Sequence, residues 1–316
     1  MKIHGIVDYS FLYYKYFFQL ESGKMRRLTA PIEWNGVIME RDVSQIYYSI
    51  REIEGFRRQL EQLGHEVVLS ICFDMPSKRS KTVDGNGEKT EGAAKYKSNR
   101  VKRLSEEDFK NIQYVERLLS DAGYNTYRID GFEADDIVNH LVRTEKDNFD
   151  YTIIYTPDSD LLVNIGPKVG ASRYKSKYGY ASVDMNNYST YLEGEFKVVE
   201  MPYNALMLFK STVGDKSDNI DGINRFGPKA FDKLVAHLNS LNVDWSNCGT
   251  YEGTLGLIEK CRGYLKDEQI EQAIDSLSMV RPMIFEDGVI TKPTKVSTPQ
   301  LREESYMRCG MKSLII

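Results

Sequence analysis

Tyr151-Thr152-Ile153-Ile154-Tyr155-Thr156-Pro157-Asp158-Ser159-Asp160 decides how this chain is read. Its first six residues are all β-branched or aromatic, the pattern of a buried strand. The run leads straight into two carboxylates. Two acids just past a strand end are costly unless something positive sits between them. One Asp-x-Asp proves little, because 46 acidic residues among 316 produce about seven such pairs by chance. The weight therefore falls on whether other elements deliver carboxylates to matching places.

They do. Lys2-Ile3-His4-Gly5-Ile6-Val7-Asp8 reads as a short apolar strand ending in an acid. An aromatic stretch from Tyr9 to Leu20 begins a helix behind it, and residues 21–38, with Gly23, Pro31 and Gly36, read as loop. From about Met39 to Leu63 the apolar spacing is helical, ended by Gly64. Val67 to Asp74 is a second strand ending in an acid. Two such strands separated by a helix imply parallel strands joined by crossovers. Leu104 to Ala122 reads as helix and Tyr124 to Ile129 as a short strand. Glu133-Ala134-Asp135-Asp136 then opens a further helix with three acids at its start. Taken alone, acids in a first turn need only the helix dipole.

The chain is long enough for one large domain or two. Cys72, Cys248, Cys261 and Cys309 lie far apart with no C-x-x-C, which argues against zinc and a disulfide framework and for a reducing compartment. No signal pattern opens the chain and no apolar run reaches membrane-spanning length, so a cytoplasmic protein is expected, in the host cytoplasm if phage-encoded. Net charge is only −4, but it is unevenly spread. Residues 75–103 carry nine cations (Lys78, Arg79, Lys81, Lys89, Lys95, Lys97, Arg100, Lys102 and Arg103) against three acids, a net +6 around a glycine-rich middle. A charge run is usually a solvated loop. This one starts directly after Asp74, which suits a polyanion brought to an anionic metal site.

After Pro202 come a helix from Tyr203 to Thr212, the segment Gly214-Asp215-Lys216-Ser217-Asp218-Asn219-Ile220, and a second helix from Ala230 to Leu238 with Pro228 at its start. Amides at that second N-terminus, with Lys229 beside them, can hold a backbone phosphate. Further helices are expected around 252–265 and 267–280, and 286–316 reads as a tail.

In a parallel sheet, strand C-termini and helix N-termini share one edge, where ligands bind. Asp8, Asp74, Asp158, Asp160, Glu133, Asp135 and Asp136 should therefore converge, and so many carboxylates cannot all stay ionised without cations. Oxygen-only ligands indicate Mg²⁺ or Mn²⁺ rather than zinc. A carboxylate cluster beside a polyanion-binding loop fits two-metal phosphodiester hydrolysis.

The motifs Asp8, Phe73-Asp74, Tyr96-Lys97-Ser98-Asn99-Arg100, Glu133-Ala134-Asp135-Asp136, Asp158-Ser159-Asp160 and Gly214-Asp215-Lys216-Ser217-Asp218-Asn219-Ile220 occur in one order over about residues 3–235. In that order they resemble the 5′-nuclease (flap endonuclease) superfamily, especially its bacteriophage 5′→3′ exonuclease/RNase H members. The resemblance implies an α/β fold with a mainly parallel central sheet flanked by helices, followed by a helical extension. It divides the chain into a nuclease domain over 1–200 with a basic arch over 75–103, a DNA-binding extension over 201–285 with a helix–three-turn–helix at about 203–238, and the tail. It implies Asp8, Asp74, Glu133 and Asp135 as ligands of a first divalent cation. Asp158, Asp160 and Asp215, with Asp135 shared, are implied for a second, and Asp136 and Asp218 as additional acids. Lys97 and Arg100 resemble the basic pair contacting the scissile phosphate, and Tyr96 an aromatic that stacks on a terminal base. Lys78, Arg79, Lys102, Arg103, Lys216 and Lys229 are expected DNA contacts. A K⁺ ion held by loop carbonyls of 214–227 is a further implied cation, although the family's usual Gly-Ile-Gly reads Arg225-Phe226-Gly227 here.

The expected activity is thus a structure-specific 5′ nuclease acting on flaps, nicks, 5′ ends or RNA–DNA hybrids in DNA replication or primer removal. The protein is expected as a monomer; no clamp, polymerase or single-strand-binding partner is legible. Three alternatives are a PIN-type ribonuclease, against which the duplex-gripping hairpin argues, a non-catalytic DNA-structure binder, which should have lost acids, and a small-molecule phosphatase, which has no use for a +6 loop.

Overall fold

The computed structural model describes all residues except 35, 79–96, 98–103, 176–178, 284, 287 and 315–316. The glycine-rich 84–94 segment and Arg79, Tyr96, Arg100, Lys102 and Arg103 lie outside the described residues.

β1 (Lys2–Asp8) is the central strand, because its residues are apolar on both sides. Ile3 and Val7 enter one core while Ile6 enters the other. It pairs in parallel with β4 (Glu66–Phe73) and β6 (Tyr151–Thr156). β5 (Asn125–Arg128) extends the sheet beyond β4. On the other side come β7 (Val169–Lys175), parallel, and β8 (Gly179–Val183), antiparallel, so the order is β5-β4-β1-β6-β7-β8. The mainly parallel α/β fold expected from the strand–acid pattern is the fold of the chain.

Helices α1 (Tyr9–Glu21), α2 (Ser44–Gln62) and α3 (Glu106–Asp121) cover one face. The other carries α4 (Ala134–Glu145), α5 (Tyr188–Phe196), α6 (Leu206–Val213), α7 (Pro228–Ser240), α8 (Tyr251–Lys260) and α9 (Asp267–Val280), which share one continuous apolar core with the sheet. Ser105 caps α3 with a reciprocal Asp108 contact, and Pro228 occupies the first turn of α7. Among the described residues, no helix is long and apolar enough to cross a membrane, and all four cysteines are free and buried.

Three segments differ from the sequence reading. Residues within 21–38 are not all loop: β2 (Thr29–Trp34) and β3 (Val37–Asp42) form a separate antiparallel hairpin. β3 lies almost wholly exposed, so no buried alternation marks it. The helix expected from about Met39 starts only at Ser44, because Met39 to Asp42 belong to β3. The expected tail holds α10 (Pro299–Met307), which returns to the opposite face and packs on α3. There Ser305 Oγ donates to the Leu118 carbonyl at 2.8 Å, and Tyr306 is fully buried.

Candidate active site

Register alone gathers the acids. Asp8 is paired with Cys72, so Asp74 lies two residues beyond its level on β4, and Val7 is paired with Tyr155, so Asp158 lies past the same level on β6. The N-terminus of α4 closes this edge: the Ala134 N–H donates to Asp74 Oδ1 at 2.7 Å. Thr156 Oγ1 donates to Asp8 Oδ2 at 3.2 Å, and the Asp160 N–H donates to Asp158 Oδ1 at 2.9 Å. Asp74 stands exposed at the mouth of the cleft while Asp8 is buried.

Electrostatics registers the crowding. Burial first, and then the charges of Asp74 and Asp158, push the Asp8 carboxyl up to about 8. Burial and the charges of Asp158, Asp8 and Asp74 drive Asp135 well above the usual carboxylate range, partly offset by Lys97. Asp8, Asp74, Asp135 and Asp158 thus share one under-neutralised cleft. Among the described residues, no three acidic, His or Cys side chains are drawn closely enough together to ligate one ion. Lysines stand between the acids instead. Lys97 Nζ lies 2.6 Å from Glu133 Oε1 and 3.7 Å from Asp218 Oδ2, and its N–H donates to the Asp218 carbonyl at 2.9 Å. Lys97 is thereby joined to the hairpin loop.

That loop is tightly built. Asp215 and Ile220 exchange backbone hydrogen bonds at 2.8 Å, and the Ser217 N–H and hydroxyl both donate to Asp215 Oδ1. Gly214 holds φ at 89°, and a Cβ there would lie 2.6 Å from the Ile220 and Asp221 carbonyl oxygens. Arg225 adopts φ 58°, a left-handed conformation that strains a residue with a side chain. Lys216 is exposed on the loop and Lys229 on the second residue of α7. Lys78 lies exposed, its ammonium 4.7 Å from the Phe132 ring centroid and its N–H donating to the Gly131 carbonyl at 2.8 Å.

Two residues look different in the fold than in the sequence. Asp136 is fully buried, and backbone groups engage both its oxygens: the Glu133 N–H to Oδ2 at 3.2 Å and the Met283 N–H to Oδ1 at 2.9 Å. It caps α4 and ties the 281–283 segment to the sheet. Sequence reasoning missed Lys210, whose buried ammonium contacts Asp160 and lies 2.6 Å from Asp215 Oδ2. Burial would raise the Asp215 carboxyl, but Lys210 and the Ser217 hydrogen bonds outweigh it and hold it below the usual range. Lys210 sits in a nearly apolar helix 50 residues from Asp160, so no local pattern marks it.

The donor set is all oxygen and carries excess negative charge, which fits hard divalent cations.

A model of the family described as 5′-3′ exonuclease, N-terminal resolvase-like domain, matches residues 4–189. DNA polymerase I of Synechocystis sp. is 30% identical over 212 residues, 64% of this chain and 20% of that protein. DNA polymerase I of Treponema pallidum is 30% identical over 194 residues, 60% of this chain and 18% of that one. The chain thus spans about a fifth of the length of these relatives. Among solved structures, T5 D15 protein co-crystallized with metal ions superposes with TM-score 0.56 at 14% identity, covering 99% of this chain and 96% of that one. The bacteriophage T5 D15 flap endonuclease pseudo-enzyme–product complex with DNA and metal ions gives 0.56 at 16%, covering 99% and 95%. The catalytic core of Rad2 with DNA substrate gives 0.51 at 14%, covering 100% and 92%. At such identities the structures speak for the fold alone. The family match spans more than half of the residues and contains the strand-end acids Asp8, Asp74, Asp158 and Asp160 together with the α4 opening, and by it the chain belongs to the 5′→3′ exonuclease family.

Proposed function

We propose that the protein is a divalent-cation-dependent, structure-specific 5′ nuclease that hydrolyses DNA phosphodiesters at flaps, nicks, 5′ ends or RNA primers during replication. The observation that carries this reading is the carboxylate cleft at the sheet edge, with Lys97 and the 214–227 loop beside it. Asp8, Asp74, Glu133 and Asp135 would hold one cation, and Asp158, Asp160 and Asp215, with Asp135 shared, the other. When bound, such a pair of cations supplies a deprotonated water as nucleophile and positive charge for the leaving oxygen. The remaining work belongs to the chain. Lys97, anchored at its backbone to Asp218, presents an ammonium beside Glu133 where a scissile phosphate would gather charge. Arg100 is proposed to act beside it, and Tyr96 to stack on the terminal base. Lys216 and Lys229 are exposed, the latter in the first turn of α7, and suit duplex phosphates. Asp218 supports the cleft through Lys97, and a K⁺ ion on the 214–227 carbonyls would strengthen the grip on duplex.

The test is digestion of 5′-labelled flap, nicked and RNA–DNA substrates with and without Mg²⁺. Cleavage near the 5′ end only with Mg²⁺ is expected; cleavage that persists in EDTA would remove the cation-dependent reading.

A further inference from the structure

Lys210 has no part in the proposed cutting. Its side chain is only 6% exposed, and its ammonium joins two carboxylates from distant parts of the chain, Asp160 after β6 and Asp215 in the hairpin loop. Both are proposed ligands of the second cation. An ammonium and a divalent ion compete for this pair: Lys210 Nζ already contacts Asp160 Oδ1 and lies 2.6 Å from Asp215 Oδ2, so an ion bound to the same oxygens would sit within a few ångströms of a like charge and need the lone pairs the ammonium occupies.

We propose that Lys210 is an internal counter-ion that fills the second cation's place and withdraws when a divalent ion arrives, which deepens the reading above and rests on it. The residue type suits the task. A lysine is a point charge on a flexible four-carbon stem, so it can leave one partner without dismantling a planar fork. The surroundings suit it too. Beside it lies a cavity of about 40 Å³ lined by Asp135, Asp160, Lys210 and Asp218, among others, room for about one water and therefore for a displaced ammonium. Without the lysine, Asp160 and Asp215 would face each other uncompensated until a cation bound. With it, the loop and the sheet edge stay joined at low cation concentration, and cation affinity is set by competition.

The experiment is calorimetric titration of Mn²⁺ into the full chain, its Lys210→Met variant, which keeps the stem, and its Lys210→Arg variant, which keeps the charge. The weaker Mn²⁺ event should tighten at least about tenfold in Lys210→Met and stay near wild type in Lys210→Arg. In EDTA the Lys210→Met melting temperature should fall, and Mn²⁺ should restore it. A second measurement needs no variant: acetylation of Lys210, followed by mass spectrometry, should speed up at least about tenfold when Mg²⁺ saturates the protein. Mn²⁺ binding no tighter in Lys210→Met, or Lys210 equally protected with and without Mg²⁺, overturns the proposal. A chain that shows both effects yet cuts no DNA sinks the nuclease reading alone. One that cuts DNA with neither effect sinks the counter-ion.

Discussion

Two charge clusters, one under a helix on a face of the sheet and one at the sheet's C-terminal edge, are built to opposite rules. Beneath α2, Glu54 is fully buried, yet everything it needs is supplied by the chain. Arg57 reaches it at 2.8 Å, the Tyr124 and Tyr306 hydroxyls donate to it at 2.5 and 2.6 Å, and Arg302 stands at 3.9 Å. At the sheet edge, Asp8 is buried and Asp135 half-buried among other acids, with Lys97 offsetting only part of the charge on Asp135. The first cluster is closed, and its charge serves the scaffold. The second is left short of positive charge among the described residues, which is the state a site must have if its missing charge is to come from outside. The difference teaches that burial of a carboxylate does not mark function; the deficit of local compensation does.

Breaking the open cluster should give the largest effect. Asp135→Asn should cut single-turnover cleavage by about 10⁴-fold, the order of loss when one member of a catalytic unit is removed. The same change should leave stability in EDTA equal or higher, since it relieves repulsion. A variant that lost stability instead would make Asp135 a scaffold residue. The closed cluster should respond the other way round. Glu54→Ala leaves buried Arg57 with Glu61 alone, takes the acceptor from the Tyr124 and Tyr306 hydroxyls, and should cost about 3–5 kcal/mol in denaturant unfolding, with cleavage per folded molecule unchanged. Unaltered stability there would erase the contrast.

Lys97 sharpens the comparison, since it is the cation that the open cluster does possess. Lys97→Met should slow single-turnover cleavage by about 10²-fold while changing substrate affinity much less. Loss of affinity at an unchanged rate would make Lys97 an ordinary phosphate contact. The smallest effect concerns a buried group on β1 that is compensated by neither strategy. Burial lowers the His4 imidazole from 6.5 to about 3, with Ser70 Oγ at 2.8 Å and the Phe149 ring stacked on it. Between those two values the unfolded chain binds a proton that the native chain refuses, so stability is present above pH 6.5 and is lost as pH falls. The loss should reach about 2 kcal/mol by pH 5. Urea titrations of wild type and His4→Leu at pH 7 and pH 5 check this; equal losses in the two proteins would clear His4.

What was legible in the sequence follows a physical divide. Asp8, Asp74 and the Asp158/Asp160 pair were readable because each follows a run of apolar, β-branched residues, and strand direction then fixes where a terminal acid must go. The β2–β3 hairpin was not, since Pro31 and Gly36 read as breakers and β3 buries too little to show a period. α10 carried a signal that could have revealed it: Thr298 caps it by accepting the Leu301 N–H, and Pro299 opens the first turn. Asp136 shows the limit of a motif, since a carboxylate in the right place by spacing can be committed to backbone amides. Lys210 shows the limit of any local reading, because its partners come together only through the fold.

The return of α10 to the first half of the chain also bears on synthesis. Glu54 and Tyr306 are separated by 252 residues. At roughly 5–20 residues per second, a ribosome takes on the order of 10–50 s to bridge that interval. Over that time α2, α3 and the strands beneath them have emerged, but the slot for Tyr306 is still an open apolar surface beside a buried acid. The nascent chain therefore carries a sticky, incompletely neutralised flank until α10 arrives.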